Sequence, residues 1–174
     1  EIGMSAPAHV EAGMGDFYVA DQYRDRIIRC GAFGKRTAVY NIPREDAGNG
    51  EIRDFRVCEA RELLYVLTSN GVIRCLGVRE KEWKVDAKKL WSVKSDIVWA
   101  EAGSGSGHGG FAADEQGTLY VTDGKGEIIK RFGLDGKPVE DLKLKLSGKF
   151  KPGPDERGFN FLRVAHGDVF LKRA

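Results

Sequence analysis

The chain repeats itself, and that repetition constrains it more than any other feature. Gly15-Asp16-Phe17-Tyr18-Val19 matches Gly117-Thr118-Leu119-Tyr120-Val121 and Gly167-Asp168-Val169-Phe170-Leu171. Glu62-Leu63-Leu64-Tyr65-Val66 is a fourth copy that lacks the leading glycine. With Tyr18, Tyr65, Tyr120 and Phe170 as equivalent positions, the copies are spaced by 47, 55 and 50 residues. A second motif travels with the first: Ile27–Cys30, Val72–Cys75 and Ile129–Phe132 each end ten to twelve residues after the aromatic. A short unit that recurs in this way cannot bury its apolar faces alone and must stack on its neighbours.

Each unit is all-β. In the third, Phe111–Ala113, Gly117–Thr122 and Glu127–Phe132 form three short apolar runs, and Asp135-Gly136 is a hairpin turn dipeptide. Gly31-Ala32-Phe33-Gly34-Lys35 parallels Gly133-Leu134-Asp135-Gly136-Lys137 as the turn into a fourth strand. That strand is expected at Thr37–Ile42, within Trp83–Val93, and at Leu142–Leu146, whose leucines alternate with lysines as on an edge strand with one wet face. Helix signals are confined to single turns at Arg44–Ala47 and Asp86–Leu90. The 23 glycines fall mostly at turns, as many short strands require. Four antiparallel strands per repeat of about 45–50 residues make the blade of a β-propeller.

Residues 1–8 read as a disordered lead-in, and residues 9–174 as a partial propeller with units at 9–48, 49–101, 102–150 and 151–174. The last unit supplies only two strands, Phe159–Ala165 and Val169–Lys172. Three and a half blades leave flanks uncovered. The ring, of six or seven blades, is therefore expected to be completed by a second copy, a second chain or a further segment.

Composition narrows the partners. Net charge is 28 − 26 = +2, too small to argue for nucleic acid, and the basic run Lys143, Lys145, Lys149 and Lys151 is flanked by Glu140, Asp141, Asp155 and Glu156. No apolar stretch approaches the ~20 residues of a membrane span. The three cysteines are odd in number and lack a Cys-x-x-Cys spacing, which points to free buried thiols. Cys30 and Cys75 are expected in the slot that Phe132 fills, and Cys58 on a first strand. The compartment is open, with periplasmic or extracellular slightly favoured over cytoplasmic.

Few residues suggest chemistry. His9 and His108 fall at or just ahead of first strands, near the mouth of a channel, where two imidazoles at one level could hold a divalent metal, zinc or calcium. The bland alternative, structural or surface histidines with no cofactor, carries more weight. Asp21 and Asp123 end equivalent strands, and Arg29, Arg74 and Arg131 recur near the third; acid and base at repeated positions stitch blades together. Gly103–Gly110 precedes a strand rather than a helix, so it is a rim loop and not a phosphate cradle. Trp83, Trp91 and Trp99 are outer-strand packing residues, although Trp99 could stack on a sugar ring. The expected ligand-binding rim comprises His108, Arg24, Asp21 and Trp99.

The repeated residues resemble the NHL repeat, the unit of a large six-bladed propeller family. Gly15–Asp21 with Arg26-Ile27, and Gly117–Asp123 with Ile129–Phe132, follow its Gly-x-hydrophobic-Tyr-Val-x-Asp and Arg-Ile pattern; Thr68 replaces the Asp in the second unit. The resemblance implies a binding or assembly scaffold for a protein, peptide or glycan. The alternative it implies is a lyase or lactonase with a divalent metal on the axis, similar to peptide-amidating lyases, in which histidines of alternate blades bind zinc. His9 and His108 are two units apart, but a third matching histidine is missing: Gly158 holds the corresponding place and His166 falls in a turn. Whether the chain is an enzyme is left open.

Overall fold

The computed structural model describes residues 7–13, 15–21, 25–43, 51–78, 84–95, 110–122, 128–143, 159–165 and 168–173. The chain divides into two compact units, Glu1–Val93 and Lys94–Ala174.

The first unit holds two sheets. One is the meander β1 (Pro7–Ala12), β2 (Phe17–Asp21), β3 (Arg26–Cys30) and β4 (Arg36–Asn41); the other joins β5 (Ile52–Cys58), β6 (Leu63–Thr68), β7 (Val72–Gly77) and β9 (Lys88–Lys94). All pairings between β1 and β4 are antiparallel. The sheets pack through alternate residues, as a pleated strand dictates. Tyr18, Ala20, Ile27, Ala38 and Tyr40 from the first meet Ile52, Phe55, Leu64, Val66 and Leu76 from the second. Burying one such large side chain contributes about 1.5–3 kcal/mol, so this shared layer is a major source of the unit's stability. On the opposite face of β6, Tyr65 packs against Trp91 of β9, with ring centroids 5.9 Å apart.

The second unit contains the four-stranded meander β10 (Phe111–Ala113), β11 (Leu119–Thr122), β12 (Ile128–Phe132) and β13 (Pro138–Lys143), and a two-stranded sheet of β14 (Phe159–Ala165) and β15 (Asp168–Arg173). Ala112, Ile129 and Leu162 form its core, with Tyr120, Leu142, Val164 and Val169 packed around them.

The expected twin turns are the same object. Gly31 N–H donates to Lys35 C=O at 2.8 Å and Gly34 N–H to Gly31 C=O at 3.0 Å; the Gly133–Lys137 and Gly136–Gly133 bonds are both 2.9 Å. Gly34 and Gly136 sit at φ +73° and +75°, where a Cβ is disfavoured.

Several expectations change. β1 begins at Pro7, inside the expected lead-in. Asp86–Leu90 is strand, not helix: Lys84–Asp86 forms β8, which pairs in parallel with Val39–Asn41 of β4 and extends the first sheet to five strands. The fourth strand of the third meander starts at Pro138 rather than Leu142, because the tight turn places Pro138 directly opposite Phe132; residues 144–146 lie outside the described residues, as do residues 44–47. Cys75 is not in the Cys30 slot. Cys30 faces Phe17 and Phe132 faces Leu119, but Cys75 faces Tyr65, the place that Arg29 and Arg131 hold opposite Tyr18 and Tyr120. The turn between Thr68 and Val72 is one residue shorter than that between Asp21 and Arg26, and a slip of one residue moves every side chain of a strand to the other face. All three cysteines are free and buried.

Candidate functional site

The first strands of the two sheets in the first unit bring together the residues most able to do chemistry. His9 and Glu11 lie on β1; Asp54 and Arg56 lie on β5. Each strand carries a register irregularity just ahead of its key residue, between Pro7 and His9 and between Ile52 and Asp54. Such bulges re-aim a side chain out of the regular pleat. His9 Nε2 lies 2.9 Å from Asp54 Oδ1, and its ring meets Phe55 edge-on at 5.2 Å. Arg56 Nη1 donates to the same Asp54 oxygen at 2.6 Å and to the Phe55 carbonyl at 2.6 Å, and stands 3.4 Å from His9 Nε2. The Phe55 N–H also donates to Asp54 Oδ1.

Electrostatics differ between the two acids. Burial works against ionisation of Asp54, but the hydrogen bond from His9 and the charge and hydrogen bond of Arg56 outweigh it, holding the carboxyl below its usual range. Glu11 is pushed up to about 7 by burial, which overcomes the opposing Arg56 charge and Val57 N–H. One carboxyl is thus held ionised, while the other keeps its proton up to about neutral pH.

A divalent cation fits this arrangement poorly. A guanidinium already stands beside the His9–Asp54 pair, and among the described residues no three His, Cys, Asp or Glu side chains converge on one point. His9 faces Ala20, two residues past Tyr18; the residue facing Thr122, two past Tyr120, is Gly110, held by the Thr122 N–H to Gly110 C=O bond of 3.0 Å. His108, Arg24 and Trp99 lie outside the described residues, as do Asp123 and His166. Asp21 is described and fully buried: its Oδ2 accepts from Arg26 Nε at 3.0 Å and Nη2 at 2.8 Å. No helix among the described residues is long and apolar enough to cross a membrane.

Equivalent tyrosines add a second polar feature. Tyr18 donates to Glu59 Oε1 at 2.7 Å, bridging the two sheets of the first unit, and Arg29 stands over its ring while pairing with Asp16. Tyr120 instead donates to Asp114 Oδ2 within its own sheet, at 3.0 Å.

Four-stranded meanders that repeat and pack face to face through their alternate residues decide the architecture. The chain folds as part of a β-propeller. Solved propellers superpose on it. The β-propeller domain of Cps50 (Swd1) from Myceliophteria thermophila is 12% identical with a TM-score of 0.55, over 96% of this chain and 50% of that one. A catalytically inactive virginiamycin B lyase from Staphylococcus aureus, with quinupristin, is 19% identical with a TM-score of 0.55, over 97% and 49%. A streptogramin B lyase is 15% identical with a TM-score of 0.53, over 96% and 48%. The chain thus spans about half the length of these propellers. No protein-family model and no curated protein matches the sequence. At these identities the likeness concerns the fold, which serves enzymes and other proteins alike.

The sequence pointed to His9 and Asp21 but missed their partners. Asp54 and Arg56 had a signal, since Asp54-Phe55-Arg56 alternates at the head of a first strand. Glu11 and Glu59 had none, because only packing between sheets gives them neighbours.

Proposed function

We propose that the chain is part of an NHL-type propeller that works as a binding or assembly scaffold for a protein, peptide or glycan. Further blades complete its ring, on a second copy, a second chain or additional polypeptide. The observation that carries this is the mutual engagement of the polar side chains nearest the first strands. His9 is turned onto Asp54 and Asp21 onto Arg26, whereas a metal or catalytic site needs groups preorganised toward an open position. The NHL type is supported by the repeated tyrosines and by the twin Gly-x-x-Gly-Lys turns. Completion of the ring is supported by the superposed propellers, of whose length this chain spans about half.

Titrating zinc and calcium separately into metal-free purified protein by calorimetry tests the choice between scaffold and metal propeller. The scaffold predicts no saturable heat for either ion. Stoichiometric zinc binding that disappears in His9→Ala would replace it with an axial metal propeller, in which the residues named for the rim, Asp21 and Arg24 included, become candidates for the mouth.

A further inference from the structure

Of the large apolar side chains exposed among the described residues, Phe33 is the extreme: its relative exposure is 106%, against 59% for Val10, which comes next. It sits in the 31–35 turn between β3 and β4, at φ +68°. A bulky side chain in the left-handed region is disfavoured, and so is an aromatic ring standing wholly in water. Neither is demanded by the turn. The sister turn 133–137 closes with the same two hydrogen bonds while Asp135, in the position of Phe33, keeps an ordinary φ and accepts a hydrogen bond from the Lys137 N–H at 3.1 Å. The chain thus tolerates a local penalty twice over at one position and avoids it at the equivalent one, and such penalties cluster where something is bound.

We propose that Phe33 is an anchor that inserts into an apolar pocket, rimmed by carboxylates, on a protein partner. The inference rests on the scaffold function and names the partner surface it would take. Rigid aromatic anchors dominate protein interfaces when they enter a desolvated pocket. The sign of the rim follows from charge. Residues 31–37 contain Lys35 and Arg36 and no acid. Asp16, which approaches the turn at Gly31, is paired with Arg29. Lys35, two residues on from Phe33, is exposed, so an acidic rim is complementary and a basic one is repelled.

The test installs a photo-crosslinking phenylalanine analogue at position 33 of the complete protein in its source cells, with the same analogue at exposed positions 62 and 115 as controls. Position 33 is expected to give one predominant adduct. Its cross-linked peptide should carry Asp or Glu beside apolar residues, and the yield should fall at least tenfold with Lys35→Glu. In parallel, Phe33→Asn is expected to raise the melting temperature, since Asn tolerates the left-handed region and no buried contact is lost. An adduct to a second copy of this chain, an adduct insensitive to Lys35→Glu, or a destabilised Phe33→Asn would each overturn the proposal. Silence at 33 with strong adducts at 62 or 115 would overturn the anchor and leave the scaffold standing. Silence at all three positions would overturn the anchor, and zinc binding through His9 beside it would remove the scaffold as well.

Discussion

Asp21 is the residue for which a ligand-contacting and a structural role make opposite predictions, and Asp21→Ala separates them. The substitution removes a carboxylate of zero exposure that accepts from both Nε and Nη2 of Arg26, its direct cross-strand partner on β3. The Arg26 side chain is itself only 15% exposed, so water compensates the surviving cation only in part. Removing one member of a buried pair costs roughly 3–5 kcal/mol. For a chain of this size that lowers the melting temperature by about 10 °C, at 2–4 °C per kcal/mol. The second sheet contains a neutral version of the same corner. Thr68 stands where Asp21 does, three residues past the tyrosine, and its hydroxyl donates to the Val72 carbonyl at 2.9 Å. Replacing both partners, Asp21→Thr with Arg26→Val, should therefore recover a substantial part of the loss, giving a coupling energy of about 2 kcal/mol in a double-mutant cycle. Urea midpoints at pH 7, with unchanged slope, read the effect. A single mutant within about 0.5 kcal/mol of the parent, the range of an ordinary surface change, would refute the structural role and return Asp21 to the rim.

Two further outcomes follow from the packing. A Cβ at Gly13 would lie 2.2 Å from Glu59 Oε1 and 2.9 Å from the Tyr18 ring, so Gly13→Ala should displace Glu59 and cost about 1–2 kcal/mol, the scale of a charged hydrogen bond. In a Tyr18→Phe background, where that bond is already absent, the loss in urea midpoint should shrink; equal losses in both backgrounds would contradict it. Burial pushes the Cys75 thiol up to about 12, outweighing an opposing hydrogen bond from Tyr65. The folded state thus holds the proton more tightly than the unfolded one. The stability this confers is present below pH 9 and lost as pH rises toward 12. At pH 8.5 iodoacetamide should label Cys75 only after urea unfolding, as followed by peptide mass spectrometry; rapid labelling of the native chain would refute it.

How much of this was legible in advance depended on whether the signal was local. The strand Arg26–Cys30, the twin turns and the two-stranded end were written in apolar alternation and in glycines that only a positive φ requires. The misplacement of Cys75 shows the limit of that alignment: Val72–Cys75 resembles Ile27–Cys30 letter for letter at its end, yet a turn shorter by one residue reverses which face each letter occupies. β8 was invisible because its partner β4 lies more than forty residues earlier, and three residues carry no periodicity of their own. His9 was found as a residue but not as a member of anything, since Asp54 and Arg56 reach it only when two sheets pack.

By itself the sequence determined a repeated, four-stranded, all-β unit, because the side-chain period of a strand and the chemistry of tight turns are properties of neighbouring residues. Only the tertiary structure decided what the polar residues are for. The fate of a charge depends on whether a partner or water stands beside it. For Asp21 and His9 those partners come from other strands, in the second case from another sheet, and for Tyr18 from the turn between β5 and β6. Phe33 is the converse case: among the described residues its ring stands fully exposed, which no alignment of letters can show.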